Sequence, residues 1–201
     1  MKVHCDSTNT VLIAEDMKAR FYFKEGTYWI YKNIATNETD SMWVWYSQVG
    51  VIPVNKKVFA HGWNKCYEYF DLRVKNKIYF KNDKYYSNYG IVLHPIDEIN
   101  SQNELFEISE ISPLNNFRDN FRIGLRGNKY ETQTDAEVFF EDSIITKENL
   151  VFKNILNLKY PFTNTNDIYS DMYYAKNIGL VKFERSTDNS VWELIRYKIN
   201  Q

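Results

Sequence analysis

Apolar residues in this chain recur at every second position, in short stretches divided by polar turn residues, and that spacing constrains the fold most. The clearest case is Phe121-Arg122-Ile123-Gly124-Leu125-Arg126, with apolar side chains on one side and arginines on the other. Successive side chains of a strand point to opposite faces, so such a stretch buries one face and wets the other, as antiparallel sheets do. Residues 67–74 repeat the pattern, with Phe70, Leu72 and Val74 on one face. Aromatic residues make up 17% of the chain, and they fit a pleated, half-buried surface better than a helix interior. Alanine, the best helix former, is rare.

The strongest local signal is a hairpin. Residues 27–32 follow a turn at Glu25 and Gly26, residues 36–40 carry turn chemistry, and residues 41–46 return as the partner strand. Residues 77–81 and 84–93 read as further strands, the second interrupted near Ser87 and Asn88, and Gly127 and Asn128 make a tight turn. Residues 137–146 and 149–158 give two more, with Leu150, Phe152, Leu156 and Leu158 on one face and Asn154 as an interruption. Residues 173–184 and 191–199 read as a closing hairpin around 186–190. Leu12, Ile13 and Met17 share one side of a short helix predicted within 11–20, with an extended start as the alternative. Residues 95–120, with Pro95 and Pro113, read as a long connection holding a candidate strand at 104–111.

No strand–helix–strand rhythm suggests a parallel sheet, and no repeat period stands out. The expected fold is all-β and mainly antiparallel, with at most short helices. Its form is a curved open or closed barrel of roughly eight to ten strands, with a β-sandwich as the alternative. Residues 1–10 read as a flexible tail and 11–201 as a single domain.

Charge narrows the function classes. Lys and Arg number 25 against 26 Asp and Glu, for a net charge of −1, so composition gives no reason to expect nucleic acid as a partner. No apolar run approaches the roughly 20 residues of a membrane helix, so no transmembrane segment is expected. The polar start has no apolar signal core.

Catalytic and metal signatures are weak. The three histidines, His4, His61 and His94, lack ligand spacing, and Cys5 and Cys66 form no Cys-x-x-Cys pair. The cysteines read better as separate thiols than as a disulfide, since Cys5 lies in a polar tail and Cys66 in a strand. A Cys66–His61 dyad is disfavoured, because their odd spacing turns them to opposite faces of an extended segment. Acidic pairs such as Glu137 with Glu141, Glu107 with Glu110 and Asp97 with Glu98 are what 26 acids place on a solvated surface. No nucleotide loop occurs. No catalytic residue, metal or cofactor is expected.

The aromatic excess stands above this background. Residues 42–46 are apolar on both faces, with Trp43 and Trp45 opposite Met42, Val44 and Tyr46. Either the strand is buried on both sides or one row forms a binding surface. Trp43, Trp45, Trp63, Tyr85 and Tyr86 are the candidate ligand-binding residues, for a lipid-like or glycan ligand. Ordinary core burial is the competing reading.

Two segments carry a resemblance. The opening strand is Gly26-Thr27-Tyr28-Trp29-Ile30-Tyr31. The close is Tyr173-Tyr174-Ala175-Lys176-Asn177-Ile178-Gly179-Leu180-Val181-Lys182, followed by Trp192-Glu193-Leu194. Together they resemble a group of uncharacterised bacterial cell-envelope lipoproteins. The resemblance covers about a quarter of the chain and implies location more than chemistry. It implies a periplasmic or outer-membrane-associated mature protein, with its signal peptide removed and a lipid anchor upstream of Met1. Cys5 follows Val3 and His4 rather than a small-residue box, so it does not fit as the lipid acceptor. If Met1 is the natural start, the cytoplasm is the expected location. The expected role is a non-catalytic envelope protein with an aromatic binding surface. The alternatives are a structural or interaction subunit of an envelope complex without a small ligand, and a hydrolase.

Overall fold

The structure, a computed structural model, describes residues 5–53, 66–76, 89–93, 104–111, 118–126, 129–132, 137–159, 169–185 and 188–201. Its first half comprises β1 (Thr10–Val11), α1 (Glu15–Phe21), β2 (Tyr28–Asn33), β3 (Thr39–Pro53), β4 (Cys66–Asn76), β5 (Tyr89–Leu93) and β6 (Glu104–Ile111). The second half comprises β7 (Arg118–Arg126), β8 (Lys129–Thr132), β9 (Glu137–Ile145), β10 (Val151–Lys159), β11 (Tyr169–Ala175), β12 (Gly179–Arg185) and β13 (Val191–Lys198). The ladder runs β8-β7-β6-β5-β4-β3-β2-β13-β12-β11-β10-β9, antiparallel at every step. Eight strands curl into a half-barrel, and the sheet has 13 strands in all, β1 lying off this path as a partner of β4. The expected class, a curved antiparallel sheet with one short helix, is the observed one.

Alternation explains the core. The inner row of β2 holds Trp29 and Tyr31, β3 supplies Met42 and Val44, and β4 supplies Phe70, Leu72 and Val74, all buried. Phe152, Leu156 and Leu158 of β10 join them, as the sequence spacing requires. Trp29 and Trp192 enter the same core without facing each other. Trp29 lies opposite Tyr197 and Trp192 opposite Asn33, while Trp192 stacks on Phe183 at 6.1 Å.

The hollow of the half-barrel is occupied by α1. A helix of 7 residues is too short to persist alone. It is held by Met17 and Phe21, which are fully buried, and by Phe21 packing on Tyr174 at 4.8 Å. Of the apolar side read from sequence, Ile13 and Met17 are buried and Leu12 is exposed. Both sides of the half-barrel grip the helix region. Glu68 of β4 accepts the Ile13 amide at 2.9 Å and pairs with Lys18 at 2.8 Å. Opposite, Arg20 donates to the carbonyls of Asn154 at 2.6 Å and Tyr174 at 3.0 Å. Asn154 reaches Arg20 from a left-handed backbone (φ 53°), which asparagine tolerates better than most residues.

Three expectations are corrected. Cys5 and Cys66 are joined in a disulfide rather than separate. Their approach follows from β1, which pairs in parallel with β4 so that Thr10 lies opposite Cys66, and from the bond between the Cys66 amide and the Asn9 carbonyl. Residues 173–184 are two strands rather than one. The chain reverses between β11 and β12, where Asn177 (φ 63°) and Gly179 (φ 90°) adopt left-handed backbone. A side chain at Gly179 would also stand 2.9 Å from the Phe23 ring. Finally, Tyr46 does not share the face of Met42 and Val44. A bulge between Val44 and Tyr46 shifts the β3–β4 register and turns Tyr46 to the other side.

Candidate functional site

The bulge builds the site. Up to Val44, β3 alternates normally, with Met42 and Val44 inward and Trp43 outward. The extra residue is Trp45, after which Tyr46 pairs with Arg73 on the outer face. Trp43, Trp45 and Tyr46 therefore lie together on the convex side, and the two-faced apolar pattern of 42–46 resolves into core on one side and an aromatic surface on the other. Trp43 is 37% exposed, and Trp45 and Tyr46 are half-buried.

Register supplies the neighbours, because residues directly opposite in a ladder share a face. Lys75 of β4, Trp43 of β3, Tyr28 of β2 and Lys198 of β13 form one continuous outer row. Two residues along the strands, Ser41, Ile30 and Arg196 form the next. Cations sit over the rings. The Lys75 ammonium is 4.8 Å from the Trp45 ring centre, and the Arg73 guanidinium is 4.9 Å from that of Tyr46 and 6.0 Å from that of Trp45. Asp71 fixes Arg73 through a 3.0 Å ion pair, and this bond raises the already high pKa of the guanidinium. Beyond it, the Tyr46 hydroxyl donates to Gln48, whose amide donates to the Tyr69 hydroxyl at 3.2 Å. The Trp45 indole N–H is buried and has no acceptor among the described residues.

Beside the aromatic row the outer face dips. Ile30, Thr39, Asp40, Ser41, Ile195 and Arg196 line an open depression of about 500 Å³. It lies where a register shift between Leu194 and Arg196 leaves Ile195 out of the β13–β2 pairing. On the concave side, a gap between Arg20, Trp29, Tyr31, Leu72 and Tyr174 measures about 30 Å³, roughly one water molecule.

A polar cluster lies farther round the sheet. Asn157 and Asp171 are buried there, and the Asn157 amide donates to Glu141 at 3.4 Å. Burial, then Glu184, raises the pKa of Asp171. Burial, then Asp171, pushes Tyr173 up to about 12. Among the described residues, no three His, Cys, Asp or Glu side chains gather as a metal ion would need. Cys66 is bonded to Cys5, so its sulfur is no nucleophile for a dyad with His61, which lies outside the described residues.

Of the candidates read from sequence, Trp43 and Trp45 share the outer surface, while Trp63, Tyr85 and Tyr86 lie outside the described residues. Sequence reasoning missed Tyr28, Tyr46, Arg73, Lys75, Arg196 and Lys198. Tyr28 was within reach, since the hairpin it opens places it opposite Trp43. The basic residues depend on distant strand pairings that no local pattern announces.

Compared with protein-family models, with curated proteins and with solved structures, the chain matches none.

Proposed function

We propose that this protein is a non-catalytic glycan-binding module of the cell envelope. The observation that carries the proposal is the outer face of β2, β3 and β4, where Trp43, Trp45 and Tyr46 stand at the surface among hydrogen-bonding polar groups and beside an open depression. Aromatic faces stack on the apolar faces of sugar rings, while amides, hydroxyls and guanidinium groups bind the ring hydroxyls. Between the two ligand classes that an aromatic surface suggests, the polar groups set among the rings, namely the Gln48 amide, the Tyr46 and Tyr69 hydroxyls and the Arg73 guanidinium, favour the glycan. Location outside the cytoplasm draws on the Cys5–Cys66 disulfide, which persists in oxidising compartments, and on the resemblance to envelope lipoproteins, which adds a lipid anchor upstream.

Tryptophan emission tests the proposal during titration with oligosaccharides and with lipid vesicles. A saturable change is expected with a glycan, together with at least a tenfold loss of affinity in Trp43→Ala, about 1.4 kcal/mol. Silence across all sugars, or co-purification of a lipid with the protein, would end it.

A second reading, an interaction subunit, is favoured by β9. Among the described residues this strand is bonded only to β10 and carries exposed Phe139, Phe140 and Ile145.

A further inference from the structure

We propose that the outer-face site selects acidic glycans, and that the depression beside Trp43 takes the carboxylate of a uronic-acid unit through Arg196. The inference rests on the glycan reading and adds the charge of the ligand. It stands on the order of residues across the sheet. The row Lys75, Trp43, Tyr28, Lys198 has an aromatic pair at its centre and a lysine at each end. The next row ends in Arg196, which lines the depression together with Thr39, Asp40, Ser41 and two isoleucines. Arg196 and Lys198 are exposed, and neither has an ion pair among the described residues.

Three described acids lie near these cations. Asp71 is engaged by Arg73 at 3.0 Å. Asp40 contributes to the wall of the depression, but its side chain belongs to the inner row opposite Tyr31 and is buried. Glu193 lies one row farther on, beside Lys32, and accepts the Lys147 amide at 2.6 Å. Among the described residues, no carboxylate forms an ion pair with Arg196. The chain carries a net charge of −1, so this grouping of cations is local and not a property of the whole surface.

The chemistry fits a sugar acid. A guanidinium presents paired N–H donors to a carboxylate, and the Thr39 and Ser41 hydroxyls stand nearby for the ring hydroxyls. Ile30 and Ile195 give the depression an apolar wall, and Trp43 with Tyr28 offers a stacking floor for the next unit. Single-stranded nucleic acid also favours aromatic and basic surfaces, but the disulfide favours a compartment where glycans are the commoner polyanion.

The test uses oligomers of polygalacturonate, alginate and hyaluronan, each as the free acid and as its methyl ester, together with an oligo-dT of similar length. Calorimetry is run on the wild type, Arg196→Gln and Trp43→Ala. At least one acid should bind at least tenfold more tightly than its own ester. Arg196→Gln should weaken that acid at least several-fold more than its ester, so that the preference for the acid collapses, and Trp43→Ala should weaken both. Equal binding of acid and ester, unmoved by Arg196→Gln, overturns the inference and leaves the glycan reading standing. Tighter binding of oligo-dT overturns it in favour of nucleic acid. Failure of every acid and ester to bind removes both the inference and the reading beneath it.

Discussion

Arg20 shows how much one side chain can hold. It is 4% exposed, pairs with Asp16 at 3.0 Å, and donates to carbonyls of β10 and β11 that lie 134 and 154 residues away. A buried cation is costly unless paired, and removing one member of a buried set strands its partners. Arg20→Ala should lower the unfolding free energy by about 3–5 kcal/mol, read as a reduced urea midpoint with an unchanged slope. Arg20→Lys should recover only part of this, because a point charge cannot span the fork of acceptors. A neutral result for Arg20→Ala would remove the arginine as the anchor of α1. Nothing in the sequence singled this residue out. Within residues 11–20 it reads as one more polar helix position, and its acceptors are backbone oxygens that no side-chain pattern reveals.

Elements were more legible, within limits set by distance along the chain. The hairpin of β2 and β3 was readable because its turn and both strands are contiguous, and β6 matches the strand expected at 104–111. The bulge at Trp45 was not readable, since alternation counts residues and cannot see one that drops out of register. Nor was the strap formed by β1, whose pairing with β4 is parallel and spans a separation of 61 residues between its cysteines. Closing a loop of that size restricts the unfolded chain, by about 4 kcal/mol in the chain-entropy account. Replacing both cysteines by serine should therefore lower the melting temperature clearly, and added reductant should lower that of the wild type but not of the variant. Equal melting temperatures with and without reductant would show that the strap contributes nothing.

The sheet as a whole buries tyrosines that resist ionisation. Burial holds the pKa of Tyr31 well above 10, with Tyr174 and Asp40 adding to it, and Tyr173 lies at about 12. Both pKa values are raised on folding. Their contribution is therefore complete below pH 10, where unfolded tyrosines begin to ionise, and is lost as pH rises from 10 through about 12. Alkaline denaturation should begin within that window and coincide with a rise in tyrosinate absorbance. Tyr173→Phe should shift its midpoint upward. Ionisation of every tyrosine at pH 10 with the fold intact would contradict the burial.

The place of β13 between β2 and β12 has a consequence for how such a chain is made. Thr27 and Asn200 are 173 residues apart and hydrogen-bond each other in both directions, so the seam beside β2 joins segments translated far from each other in time. Until residues 191–198 have left the ribosome, the nascent β2 can bond on one side only, against β3, while its other edge stays bare. Trp29 and Tyr31 then wait half-covered for Leu194 and Trp192 to arrive. Sealing of this interior is consequently a late event in biosynthesis, and an interruption of translation before β13 yields an exposed sticky edge rather than a smaller working protein.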